Sequence, residues 1–125
     1  MIYNTYFAIC SGLAGVVFVM HVFAAGPRIA VPVRDCPELK PVIRLTNYYC
    51  WHIVSIVLAQ LVFLFGWAAF SQAASLLALV GTSSVVAFGL WGFVLVVKTK
   101  QSFKFMPQAL LFAPIAVLGI VGLLK

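Results

Sequence analysis

Four apolar stretches separated by short polar interruptions set the pattern of this chain. They run over about residues 2–25, 48–70, 73–97 and 107–124. At ~1.5 Å of helix rise per residue, stretches of this kind match the ~30 Å hydrocarbon core of a bilayer. Each is therefore expected to be a transmembrane helix. Gly26-Pro27-Arg28 should end the first, because Gly-Pro interrupts helical bonding and the arginine favours water. The loop over 26–47 holds Pro27, Pro32, Pro37 and Pro41, and either of the last two suits the first turn of a helix running into the second span. Only Ser71-Gln72 separates the second and third spans, which predicts a tight antiparallel hairpin. Pro107 suits the start of the fourth helix, whereas Pro114 should kink it. The pattern predicts one all-α transmembrane domain over 1–125, an up-down-up-down four-helix bundle.

Composition agrees. Apolar residues make up 65% of the chain and charged ones 8%, against about 25% charged in a soluble domain. The net charge of +6 does not point to nucleic acid, because the basic residues flank apolar spans instead of forming a stripe or groove. Arg28, Arg34, Lys40 and Arg44 fall in the first loop, and Lys98, Lys100 and Lys104 near the third connection. The positive-inside rule then places both loops in the cytoplasm and both termini on the non-cytoplasmic side. Tyr3, Tyr6, Trp67 and Phe70 fit one aromatic belt, and Tyr48, Tyr49, Trp51, Phe103 and Phe105 the other. The first stretch lacks a positive n-region and reads as a retained span, not a cleaved signal peptide. Cys10, Cys36 and Cys50 form no even-numbered framework, so no disulfide is expected.

Charged side chains are absent from the four spans, since Asp35 and Glu38 are the only acids and lie in the first loop. Ion-coupled pumps usually carry a carboxylate in the membrane, which disfavours a transporter. Small residues such as Ala78, Gly81, Thr82 and Gly89 supply close-packing stripes, which serve a single bundle or a homo-oligomer equally. The polar candidates are His21 near the end of the first span, His52 near the start of the second, and Tyr49 and Gln108 at similar depth. His21 shares a helix face with Cys10, Ala14 and Val17, and His52 shares one with Ala59 and Gly66. Both are expected to point inward, forming a small site near the cytoplasmic face with Tyr49 and Gln108. Cys50 lies about 160° from His52 on a regular helix and cannot chelate with it. Cys10 is roughly 16 Å along the axis from His21.

Three readings of the histidine pair stay open. Each imidazole makes an ordinary interhelical hydrogen bond; or the pair belongs to a site for a quinone, a lipid or another amphipathic ligand; or the two histidines ligate a non-covalent haem b or a metal. No Cys-x-x-Cys-His exists for covalent haem, and no cofactor is the leading expectation.

Tyr48-Tyr49-Cys50-Trp51-His52, with Met106-Pro107-Gln108 and Leu111-Phe112-Ala113-Pro114-Ile115, resembles small uncharacterised four-span proteins of the bacterial inner membrane. That resemblance brings no activity with it. His21 followed by Gly26 and Arg28 is faintly similar to the first span of haem-associated protoporphyrinogen oxidases and of copper-resistance membrane domains. The leading expectation is a multi-pass inner-membrane binding or accessory component, with a membrane-complex partner or a lipid or quinone ligand. A haem- or metal-dependent redox protein using His21 and His52 stands second, and a small-solute transporter third. No catalytic residue emerges.

Overall fold

Asn4 opens the first helix in a way that also ties the bundle together. Its extended backbone leaves Oδ1 free to accept from the N–H groups of Tyr6 and Phe7, at 3.1 and 3.3 Å, which caps the helix. Its Nδ2 donates to the Gly122 carbonyl 2.9 Å away on the last helix. The N–H groups of Tyr3 and Asn4 both reach the Ala69 carbonyl at the end of the second long helix. One residue thus closes three helices at the end of the bundle remote from the basic loops. The computed structural model describes residues 3–125, so the expected start of the first helix at Ile2 lies outside the described residues.

The first helix does not stop at Gly26-Pro27-Arg28. It continues from Thr5 to Arg34 as α1 (Thr5–Val19), a π-helical segment (Met20–Ala30) and α2 (Val31–Arg34). In an α-helix the ring of Pro27 would strike the carbonyl four residues back. The wider π register bonds each N–H five residues back and moves that carbonyl aside; Val31 N–H accordingly bonds the Gly26 carbonyl. The expected break at Gly-Pro becomes a change of helical register, and the loop shrinks to the turn between Asp35 and Lys40.

Pro41 then starts α3 (Pro41–Phe70), where its missing N–H costs nothing. This helix begins seven residues before the apolar stretch at Tyr48, because hydropathy marks the part that can sit in lipid and not the helix itself. Ser71 is extended, a 3₁₀ turn covers Gln72–Ala74, and α4 (Ser75–Thr99) returns antiparallel as the hairpin pattern predicts. Lys100 ends α4 in the left-handed conformation, φ 54°, with the Gln101 N–H bonded back to the Val96 carbonyl. The last helix, α5 (Gln108–Leu123), runs on through Pro114, which leaves the Leu110 carbonyl without its helical donor.

Three of the helical stretches, Thr5–Arg34, Pro41–Phe70 and Gln72–Thr99, are long and apolar enough to cross a membrane; α5 is shorter. α1 packs on α3 and α5, and α4 packs on α5 and α3, which closes a ring of antiparallel neighbours. The core between them holds Phe7, Cys10, Ala14, Leu58, Leu61, Phe65, Ala78, Val85 and Ile115. Lipid tails are as apolar as these side chains, so in a bilayer the helices would be held by close contact more than by water exclusion. Gly119 and Gly122 make that contact. A methyl at Gly119 would stand 2.5 Å from Thr82 Oγ1, and one at Gly122 2.5 Å from Phe7 Cε1.

Candidate ligand site at the basic end

The π-helical segment brings a second consequence: it carries His21 against the start of α3. The His21 ring stacks on Trp51, with centroids 4.1 Å apart and planes 12° from parallel. Its Nε2 lies 3.2 Å from the Trp51 carbonyl. A carbonyl only accepts, so Nε2 carries the proton and donates. The same carbonyl accepts from Ser55 Oγ at 3.2 Å. Trp51 is therefore the centre of the arrangement, holding His21 through both its ring and its backbone.

His52 meets a different neighbour. Its ring stands edge-on to Tyr48, 4.5 Å between centroids at 86°. Arg34 in turn places its guanidinium 5.1 Å from the Tyr48 ring centre and pairs with Asp35 at 2.7 Å. That hydrogen bond from Arg34 holds the Asp35 carboxyl below its ordinary pKa. Glu38 is likewise lowered, first by the Cys36 thiol 3.1 Å from its Oε2. Between the π segment and α3 lies a cleft of ≈ 140 Å³ whose walls include Gly26, Pro27, Tyr48, Trp51, His52 and Ser55.

The four residues singled out in the sequence do not converge. His21 continues the buried line of Cys10, Ala14 and Val17 and is half-buried. His52 is exposed, at the rim of the cleft instead of inside the bundle. Ala59 beside it is also exposed, while the interior face of α3 is Ser55, Leu58, Leu61, Phe65, Ala68 and Ala69. Gly66 does pack closely, with a methyl there 3.2 Å from Ser11 Oγ on α1, but Ala59 lines a groove that opens outward, so small size alone does not mark the interior. Tyr49 is 66% exposed. Gln108 packs against Gly92 of α4, where a methyl would lie 3.2 Å from its Cβ, and it joins no histidine.

Trp51 is the residue that sequence reasoning assigned only to an interfacial belt. A signal was present: Trp51, Ser55 and Leu58 share the i, i+4, i+7 spacing of one helix face, and Leu58 is in the core. Among the described residues no three His, Cys, Asp or Glu side chains gather closely enough to hold a metal.

Two other hollows exist. One, ≈ 520 Å³, lies at the opposite end among Asn4, Tyr6, Ser71, Gln72 and Ser75, but Asn4, the residue most central to it, is already bonded on both sides. The other, ≈ 590 Å³, is an apolar groove between α1 and α3. Comparison of the chain with protein-family models, with curated proteins and with solved structures gave no match.

Proposed function

We propose that this chain is a multi-pass protein of the bacterial inner membrane that acts as a binding or accessory component. The basic loops face the cytoplasm and both chain termini lie on the non-cytoplasmic side, following the distribution of lysine and arginine. The ligand enters the cleft between the π segment and α3. One observation carries this reading: a rare π-helical register is used to set His21 on Trp51 beside a cleft that His52 and Tyr48 also line.

The test is mass spectrometry of small molecules that remain with the protein through detergent purification. A bound molecule is expected in the wild type and absent from His52→Ala. A wild type that carries nothing removes the reason for the proposal. Orientation is tested by labelling the half-buried loop thiol of Cys36: reaction with a membrane-impermeant maleimide is expected only from the cytoplasmic side.

The second reading, bis-histidine ligation of a haem b or a metal, draws on two imidazoles set on adjacent helices at the same end. It is weaker because His21 Nε2 is committed to the Trp51 carbonyl, so ligation through that atom requires the ring to turn. A Soret band in freshly purified protein would support it, and colourless protein would end it. The transporter reading stays third, since no acid lies in any span.

A further inference from the structure

The cleft at Trp51 and the apolar groove are separate hollows that share one face of α3, along its seam with the first helix. Tyr48, Trp51, His52 and Ser55 wall the cleft, and Ala59 and Val62 wall the groove. α3 is an uninterrupted α-helix, so at ~100° per residue all six fall within an arc of about 100°. Val62 stands about 15 Å along the axis from His52. Across the seam the groove is completed by Gly12, Gly15, Val16, Val19 and Met20 of the first helix. The hollow there is real space: a Cβ built on Gly12 meets nothing within 4 Å, and one on Gly15 only Val62 at 3.9 Å.

The two ends of the seam differ in chemistry. The groove is lined entirely by apolar side chains and glycine. The cleft has flat walls in Tyr48, Trp51 and His52, and no Lys, Arg, Asp or Glu among its lining residues. It also has a donor to spare. The Trp51 indole N–H finds no acceptor among the described residues, and it lies 3.7 Å from where a Gly26 Cβ would sit. It is not sealed in the interior, since Thr82 Oγ1 is the one buried unpaired side-chain atom among the described residues, so the indole N–H is open to an incoming acceptor.

We propose that this seam binds one membrane-dissolved quinone, with its ring in the cleft, a ring carbonyl accepting from the Trp51 indole N–H, and its isoprenoid chain along the groove. The inference rests on the cleft being a ligand site, and it names the ligand. A phospholipid fits less well, because no cation is among the residues lining the cleft and the guanidinium nearest to it, Arg34 over Tyr48, is already paired with Asp35, so a phosphate would exchange its water shell for one indole N–H. A neutral carbonyl asks for a single donor. The cleft of ≈ 140 Å³ encloses about one unsubstituted six-membered ring; the methoxy groups of a ubiquinone ring would lie past the exposed rim at His52, while the chain needs only the apolar path that the groove supplies.

The experiment is calorimetric titration of the full chain in phosphatidylcholine nanodiscs. The probes are decylubiquinone and the same dimethoxy-methyl-benzoquinone ring without its chain. The wild type should bind decylubiquinone saturably and more tightly than the bare ring. Gly12→Phe fills the groove from a position with open space around it. It should weaken decylubiquinone about tenfold, the equivalent of one or two lost methylene contacts, and leave the bare ring unchanged. Val16→Trp, at a 56% exposed groove position, is a second variant that should do the same should Gly12→Phe disturb insertion. Gly26→Ala sets a methyl over the indole N–H and should weaken both probes. Absence of saturable binding by wild type, or equal affinity for decylubiquinone in wild type and both groove variants, overturns the proposal. A phospholipid that co-purifies with wild type and is lost in His52→Ala, with no quinone binding, would keep the ligand site and reject the quinone.

Discussion

Replacing Asn4 tests whether the far end of the bundle is held as described. The side chain does two separable jobs. Oδ1 caps α1 through the Tyr6 and Phe7 N–H groups, and Nδ2 donates to the Gly122 carbonyl on α5. Loss of a cap costs about 1 kcal/mol, and loss of one hydrogen bond to a half-buried carbonyl about 1 kcal/mol more. Asn4→Ala should therefore destabilise by about 2 kcal/mol. Asn4→Ser keeps a capping acceptor and loses the donor to Gly122 without setting a second acceptor against that carbonyl, so it should cost about half as much. The bonds from the Tyr3 and Asn4 backbone to the Ala69 carbonyl are untouched in either variant. Reversible unfolding in mixed micelles, titrated with a denaturing detergent, measures both differences. If Asn4→Ala were neutral, or Asn4→Ser as costly as alanine, the assignment of the two jobs would be wrong.

Other consequences follow from single contacts. Gly122→Ala puts a methyl against the Phe7 ring and should cost about 1–3 kcal/mol by overpacking, read in the same assay; Gly12→Ala, with space around it, should be near neutral. Thr82 is 3% exposed and its Oγ1 has no hydrogen-bond partner among the described residues. Thr82→Val keeps the shape and removes the unpaired hydroxyl, so it should stabilise by about 1 kcal/mol, seen as a higher thermal midpoint in detergent. Asp35 should titrate below the ordinary aspartate value because Arg34 bonds its charged form. Any stabilisation it gives is present above the unfolded pKa and lost as pH falls through the lower folded one. Carboxyl NMR should show that low value, and Arg34→Ala should raise it; an unchanged value would remove the pair as its cause.

Much of the architecture was legible because membrane-length apolar runs and their breaks are coarse signals. The hairpin at Ser71-Gln72 and the return of four antiparallel helices follow from patterns that need no tertiary knowledge, whereas the sequence leaves the start of α3 open between Pro37 and Pro41, and it lies seven residues before the apolar stretch. The extension of the first helix to Arg34 did not, because the usual clash at Pro27 is relieved by a π register that leaves no simple mark in the sequence. The site was legible in part. His21 lies on the face that its spacing from Cys10, Ala14 and Val17 indicates. His52 faces outward because Ala59, on the same face of α3, lines an outward groove, and small size does not distinguish such a groove from the interior. Tyr49 and Gln108 shared only depth with the histidines, and depth does not fix direction around a helix. Trp51 was hidden by its own versatility, since the amphipathic ring that anchors at an interface also stacks on a histidine.

Trp51 walls the proposed ligand cleft, and the chain's three tryptophans allow a direct view of it. An indole ¹⁵N–¹H spectrum of the protein in nanodiscs gives one signal each for Trp51, Trp67 and Trp91. Trp67 and Trp91 are 56% and 63% exposed and line neither the cleft nor the groove. On addition of extracted bacterial membrane lipids, the Trp51 signal should move as its N–H gains an acceptor while the other two stay. A Trp51 signal that does not move, or three signals that move together, would contradict the central claim.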